Sequence, residues 1–263
     1  MDYIPNPIFL SIGSLDIYYY GLILVLAISV ASILSRRKLL SKFLLPQKKI
    51  EDLFFYLIIG GLIGARLFHV FFFEWQYYSH NIISIIKIWQ GGLAIQGAIL
   101  AGLLILVVFS KRNKLKFFKL SDNIVPFLAL GQAIGRWGNY FNQELFGWPT
   151  NNWYGIFITL ENRVKGFEGF NYFHPTFFYE SILNLILFII LINILKINKL
   201  GLATLSYLLG YSLIRFSLEY IRIDEAPLIF GIRTPQFISL IIIVIIIFIM
   251  YYKYLLPLSK NKK

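Results

Sequence analysis

Gly-Arg-Trp-Gly-Asn-Tyr-Phe-Asn-Gln-Glu-Leu-Phe-Gly, residues 135–147, closes an apolar stretch that begins near position 122 and sets Arg136 and Glu144 at its end. A charged side chain at mid-bilayer costs about 3 kcal/mol on insertion scales, so an ionisable group kept beside hydrocarbon marks a polar site by default. The rest of the chain says that hydrocarbon surrounds it. Of 263 residues, 58% are hydrophobic, 18% aromatic and only 14% charged, outside the usual composition of a soluble domain. The reading is an all-α polytopic membrane protein in which residues 1–263 form a single transmembrane domain.

Working outward, seven apolar stretches lie at about 17–35, 52–73, 92–110, 122–138, 175–195, 202–220 and 236–255. Each is near the roughly 20 residues that a helix needs to cross a bilayer, the fourth only marginally. Seven transmembrane helices are therefore expected. Between them fall four basic groups: Arg36, Arg37, Lys38, Lys42, Lys48 and Lys49; Lys111, Arg112, Lys114, Lys116 and Lys119; Lys196 and Lys199; and Lys253, Lys260, Lys262 and Lys263. All four fall on one side of a seven-span layout. The positive-inside rule makes that side cytoplasmic, with an extracytoplasmic N-terminus and a cytoplasmic C-terminus.

The same asymmetry, together with anionic lipid at the inner leaflet, accounts for the net charge of +12 without nucleic acid. The first 16 residues hold Asp2 and Asp16 and no lysine or arginine, so they lack the basic start of a cleaved signal peptide, and the first span is expected to be retained. Residues 138–174 are too long for a tight turn. Their Trp148, Trp153, Tyr154, Phe157, Phe167 and Phe170 fit either a small extracytoplasmic cap or an ordinary interfacial aromatic belt.

Counting 1.5 Å per residue from the outer ends brings polar groups from six spans to one level. They are Tyr20 in the first span, Arg66 in the second, Gln96 in the third, Arg136 and Asn139 in the fourth, His174, Tyr179 and Glu180 at the fifth, and Arg215 and Glu219 in the sixth. Tyr211, Arg215 and Glu219 share one helix face at i, i+4 and i+8. Each has a plainer reading taken alone. Arg215–Glu219 fits an intrahelical ion pair, Arg66 with His69 a structural bond or a snorkelling side chain, and His174-Pro175 a helix start. Their joint placement weakens those readings.

With no cysteine and three histidines, the chain offers no thiolate nucleophile and little for a metal cluster. Neither a metal nor a cofactor is expected. Three arginines at one level instead suit an anionic lipid headgroup, because guanidinium pairs with phosphate oxygens at two points and stays charged in a low dielectric. If the phosphate leaves, the same groups stabilise the charge that grows on it.

The run at 135–147 satisfies every fixed position of Gly-Arg-x-Gly-Asn-aromatic-x-Asn-x-Glu-x-x-Gly, the fingerprint of the bacterial prolipoprotein diacylglyceryl transferases, which the chain resembles over almost its whole length. Ile12-Gly13, Tyr20-Gly21, Gly64-Ala65-Arg66, Trp89-Gln90-Gly91-Gly92, His174-Pro175-Thr176, Tyr179-Glu180 and the Tyr211/Arg215/Glu219 stripe extend the match.

The resemblance implies a multi-pass protein of the bacterial plasma membrane whose site faces the extracytoplasmic side. It would transfer the diacylglyceryl group of phosphatidylglycerol to the lipobox cysteine thiol of a preprolipoprotein, releasing sn-glycerol 1-phosphate. It also implies that Arg136 and Arg215 hold the lipid phosphate and that Glu144 and Glu219 orient them or the glycerol. Asn139 and Gly147 would shape the site, while Tyr20 and Tyr211 would line it. Arg66, Gln96, Asn142 and His174 are the further residues expected to bind substrate. Two positions depart from the pattern. Gln96 stands where the family usually has a histidine cast as the thiol base, and an amide cannot be that base. Glu219, Glu144 or His174 then becomes the candidate, unless a nearby arginine acidifies the thiol enough. Pro235 in Thr234-Pro235-Gln236 replaces a more usual glycine and is expected to fix the start of the last span.

A transporter is the main rival, although polar groups gathered at one leaflet and the lack of paired repeats speak against alternating access. A non-catalytic relative that binds anionic lipid is the other.

Overall fold

The computed structural model describes residues 4–13, 15–42 and 45–256. Asp2 and the distal lysines Lys260, Lys262 and Lys263 of the last basic group lie outside them. Ten α-helices run in order: α1 Tyr19–Lys42, α2 Gln47–Phe72, α3 Trp75–His80, α4 Ile95–Arg112, α5 Phe117–Ser121, α6 Val125–Gly135, α7 Trp137–Phe141, α8 Thr176–Lys196, α9 Leu202–Leu218 and α10 Thr234–Met250. The last continues into a π-helical turn at Tyr251–Leu255. Five of them are long and apolar enough to cross a membrane: α1, α2, α4, α8 and α10 with its extension.

The fourth expected span differs from its prediction. It is divided at Arg136 into helices of 11 and 5 residues, so α6 reaches only about 16 Å, half the hydrocarbon thickness. Helix α9, with 17 residues, is also shorter than a full span.

The purely helical expectation needs one correction. Three antiparallel strand pairs occur among the described residues: β1 Ile8–Ile12 with β2 Leu15–Tyr18, β3 Ile156–Phe157 with β4 Tyr172–Phe173, and β5 Leu228–Ile229 with β6 Ile232–Arg233. Each satisfies backbone groups where the chain runs outside a helix and must pair its amides some other way. In the third, Phe230 and Gly231 both have positive φ, 52° and 77°, the conformation that closes a two-residue hairpin.

The chain forms two compact units. One consists of residues 32–123. There α2 and α4 pack closely because both faces are small: a Cβ on Gly97 would sit 2.0 Å from the Gly64 carbonyl oxygen. The Ala94 N–H donates to the Ala65 carbonyl at 3.0 Å, seating the start of α4 on α2.

The other unit joins residues up to 31 with those from 124 onward. Its helical core is Val125 and Ala129 of α6, Leu187 and Leu191 of α8, and Ala203 and Tyr207 of α9, with Tyr211 and Ile214 packed alongside. Two polar ties cross this apolar interface. Tyr207 donates to Gln132 at 3.1 Å and Ser181 to the Ala133 carbonyl at 2.8 Å, so the helices have a fixed register as well as a shared surface. Proline at the first positions of α6 and α10 starts both helices where a missing N–H is harmless, as Pro235 was expected to do.

Beyond α7, the segment expected as a cap has its own small core of Phe146, Ile158 and Phe173 closed by Ile223, with Phe167 against it. Arg163 braces it by donating to the Ile158 and Glu168 carbonyls and to Asn171. Packing of this kind exceeds a belt of aromatic side chains.

Candidate active site

Arg136 sits at the break between α6 and α7, in helical geometry at φ −60° and ψ −25°. Its Nη2 lies 2.6 Å from Glu180 Oε1 in the second turn of α8. Glu180 is buried, and its other oxygen faces Arg222 Nη1 at 3.8 Å. Arg222 pairs through Nε with Asp224 at 3.0 Å, and Asp224 faces Arg233 at 3.6 Å. Arg233 bonds Glu219 at 2.8 Å, and Glu219 completes the series with Arg215 at 3.1 Å.

At the other end, Arg136 Nη1 approaches Asn139 Oδ1 at 3.4 Å, and Asn139 donates to Glu144 at 2.7 Å. Four arginines and four carboxylates thus alternate along one chain of contacts. Their charges balance, which is how so many ionised groups persist in an apolar fold.

The four arginines are not equivalent. Arg233 spends its guanidinium on Glu219, the carbonyls of Arg222 and Asp224, and the Asp224 carboxylate. Arg222 is 4% exposed and held between two acids. Arg215 differs: its Nη1 is buried and, among the described residues, has no hydrogen-bond partner. A buried charged donor left unpaired costs more than the roughly 1–3 kcal/mol of a neutral one, so this orientation favours an incoming anion. Glu180 Oε1 and Glu219 Oε2 meet their arginines as ion pairs without an aligned hydrogen bond, leaving acceptor capacity beside that donor. Tyr211 lies within electrostatic reach of Arg136, Arg215 and Glu180.

The other expected residues of this unit take definite places. Tyr20, in the first turn of α1, is within electrostatic reach of Glu144 and Arg136, its ring against the backbone of Gly138. Asn142 approaches Glu144 Oε1 at 3.4 Å, so that oxygen receives two amides while Glu144 itself stays exposed. Gly147 is a close-approach residue. Its N–H donates to the His174 carbonyl at 2.9 Å and it bridges Arg222, while a Cβ there would meet Ile221 and Thr176 within 3 Å. That tight crossing places Arg222 at the site. His174 reaches the Tyr179 hydroxyl at 3.0 Å through Nδ1, with Tyr154 against its ring.

The loop that presents Glu144 is strained on both sides. Gln143 and Leu145 have φ of 50° and 57°, a left-handed conformation costing non-glycine residues roughly 1–2 kcal/mol each. Side-chain bonds hold them there. Buried Gln143 accepts from the Thr159 N–H at 2.7 Å and from its hydroxyl at 3.0 Å, and the Thr176 hydroxyl donates to the Leu145 carbonyl.

Arg66 and Gln96 belong to the other unit. Arg66 is 4% exposed and directs its donors to backbone carbonyls of Ile85, Gly91, Gly92, Ser84 and Lys87. This is the structural option among its sequence readings, fastening the loop that leads into α4. Gln96 is exposed in the first turn of α4.

Sequence reasoning assigned no site role to Glu180, Arg222, Asp224 or Arg233. Glu180 is among the polar groups that the span count brings to one level, without a catalytic or binding role, whereas Arg222, Asp224 and Arg233 lie outside that set. A usable signal was present in the order Glu219, Arg222, Asp224, Arg233, opposite charges repeated just after a span that already carried Arg215.

Comparison with known proteins fits this geometry. The model of the family "Prolipoprotein diacylglyceryl transferase" matches residues 7–252. The phosphatidylglycerol--prolipoprotein diacylglyceryl transferase of Synechococcus elongatus is 41% identical over 250 residues, covering 91% of this chain and 84% of that protein. Proteins of the same name from Trichormus variabilis and Acaryochloris marina are 40% and 42% identical, each across 90% of this chain and 85% and 86% of theirs.

Proposed function

Starting from the fact that the chain belongs to the prolipoprotein diacylglyceryl transferase family, we propose that it moves the diacylglyceryl group of phosphatidylglycerol onto the lipobox cysteine thiol of preprolipoproteins. The bond between glycerol C3 and the phosphate oxygen breaks, a C–S bond forms, the thiol proton leaves, and glycerol phosphate departs with the bonding electrons. The carrying observation is the buried Nη1 of Arg215, which among the described residues has no hydrogen-bond partner although its guanidinium is paired with Glu219. A phosphodiester brings one negative charge there, and a second grows on the phosphate as the ester bond breaks. Preorganised guanidinium donors stabilise that growing charge more than the ground state.

Arg136 and Arg215 hold the phosphate, Glu180 and Glu219 orient them, and Tyr211 lines the space between. Geometry also separates the candidate bases. Glu219 is 1% exposed with an arginine on each oxygen, and His174 is engaged with Tyr179. Glu144 is exposed and bound only by amide donors, the arrangement that suits a proton acceptor. Gln96 then needs no proton-transfer role. The reading includes seven membrane crossings, with α6–α7 and α9 as the two short ones, an extracytoplasmic site and cap, and residence in the bacterial plasma membrane. Basic residues concentrated on the opposite ends of the spans support that orientation.

The test is turnover by purified protein in phosphatidylglycerol micelles with a lipobox peptide carrying cysteine or serine. The expected result is glycerol phosphate and thioether-linked peptide in equal amounts with cysteine, and neither with serine. Binding of phosphatidylglycerol with no transfer by folded protein would overturn the enzymatic reading in favour of a lipid-binding relative.

A further inference from the structure

A cleft of about 580 Å³ opens beside the arginine cluster, outside the chain of ion pairs already described. Three segments far apart in sequence form it: the approach to β1, the turn after α7, and the 3₁₀ turn Leu160–Asn162. The polar lining includes Asn6, Asn142, Glu144, Thr159, Glu161 and Asn162. The volume lies within the range of ordinary ligand pockets.

Among the described residues the lining includes no lysine or arginine, the partners that phosphate takes. Amides and a hydroxyl on several sides are the partners of a peptide backbone, which carries one donor and one acceptor per residue. Two carboxylates favour a neutral or basic chain over an acidic one. Glu144 is common to both places: it faces the cleft and is joined through Asn139 to Arg136. A chain lying in the cleft therefore has one end beside the carboxylate that the transfer reaction would use to accept the thiol proton.

Resting on the transferase reading, we infer that this cleft binds the extended polypeptide that follows the acceptor cysteine, and that Glu161 selects for its charge. Three or four extended residues span roughly 10–13 Å, a fitting length for a pocket of this size. The donor lipid and the acceptor chain then occupy opposite sides of Glu144.

The test uses the purified enzyme and three lipobox peptides: one ending at the cysteine as an amide, one with lysine at the third and fourth residues after it, and one with aspartate there. Wild-type protein should favour the lysine peptide over the aspartate peptide by about tenfold in kcat/KM. Glu161→Lys should invert that preference and leave both the phosphatidylglycerol KM and turnover of the truncated peptide within about twofold. Asn162→Trp, which fills the cleft without changing charge, should raise KM for both long peptides and spare the truncated one. Equal loss on all three peptides, a preference unmoved by Glu161→Lys, or a change in lipid KM alone would overturn the assignment. Turnover of the truncated peptide by the wild type tests the transferase reading separately, since it does not use the cleft.

Discussion

Arg66 and Arg215 both lie on apolar helices, α2 and the shorter α9, yet they do opposite things with the same side chain. Arg66 distributes its guanidinium over five backbone carbonyls of one loop and, in the described structure, has its hydrogen-bonding face covered. Arg215 gives one nitrogen to Glu219 and keeps another buried without a hydrogen-bond partner among the described residues. Both place a charge on an apolar helix, so charge and sequence setting alone do not separate a strut from a group with free donor capacity. Unspent donor capacity does. The sharpest way to break this contrast is Arg215→Ala, which should lower kcat/KM for transfer by about 10²–10³-fold, the range seen when one preorganised donor is removed from a developing anion. Arg215→Lys should recover only part of it, because one ammonium cannot pair with phosphate at two points. Glu219 keeps Arg233 in both variants, so thermal unfolding should move little. A large loss of Tm with normal kcat/KM would make Arg215 a strut like Arg66.

Arg66→Ala is the mirror experiment. Five carbonyls would lose their charged donor inside a unit where Gly91 and Gly92 also need the loop held. The expected cost is on the order of 3 kcal/mol in stability, read as lowered Tm and folded yield, because bonds to charged groups are worth more than neutral ones. Activity per folded molecule should stay within about threefold of wild type. A loss confined to kcat/KM at unchanged stability would return Arg66 to the substrate-binding role expected from the sequence.

How much of this could be read from the sequence follows the same division. Apolar length located α1, α2, α4, α8 and α10 because a membrane span is a run of about 20 residues whatever it packs against. The break at Arg136 was not legible, since hydropathy averages over the polar turn between α6 and α7. Arg136, Asn139, Glu144, Arg215 and Glu219 stood out because each sits in or beside an apolar stretch, where charge is conspicuous. Glu180 was conspicuous too but lacked a visible partner, as the arginines facing it are 44 residues before and 42 after it in sequence. Arg222, Asp224 and Arg233 follow α9 in a polar segment where charge is ordinary. The crossing at Gly147 and the bond from Arg233 to the Arg222 carbonyl bring Arg222 to the others. Nor does the sequence distinguish a satisfied arginine from an open one, because that depends on which carbonyls the fold delivers.

Glu180 sharpens the comparison from the acidic side. It is 2% exposed and faces both Arg136 and Arg222, so Glu180→Gln leaves one partly buried and one buried guanidinium against a neutral amide. A fall of about 30-fold in kcat/KM is expected, close to 2 kcal/mol, carried by a higher KM for phosphatidylglycerol while KM for the lipobox peptide stays put. Glu180→Asp, which keeps the charge, should recover part of it. Equal increases in both KM values would mean that Glu180 supports the fold rather than the phosphate clamp.

The smallest effect tests whether strain beside Glu144 belongs to the site or only to the path of the chain. Gln143 holds its left-handed backbone by accepting two hydrogen bonds from Thr159, and Gln143→Ala removes both while leaving the conformation to be maintained unaided. The loop should relax by about 1 kcal/mol, and Glu144 should lose its fixed orientation toward Asn139, giving roughly a fivefold lower kcat with little change in either KM. Gln143→Gly is the control that separates the two causes. Glycine enters the left-handed region without cost, so it restores the backbone while still lacking the amide. Recovery of kcat in the glycine variant would show that the conformation at 143 is what Glu144 requires. Continued loss would place the requirement in the tether to Thr159, and therefore in the packed segment beyond α7 that carries it.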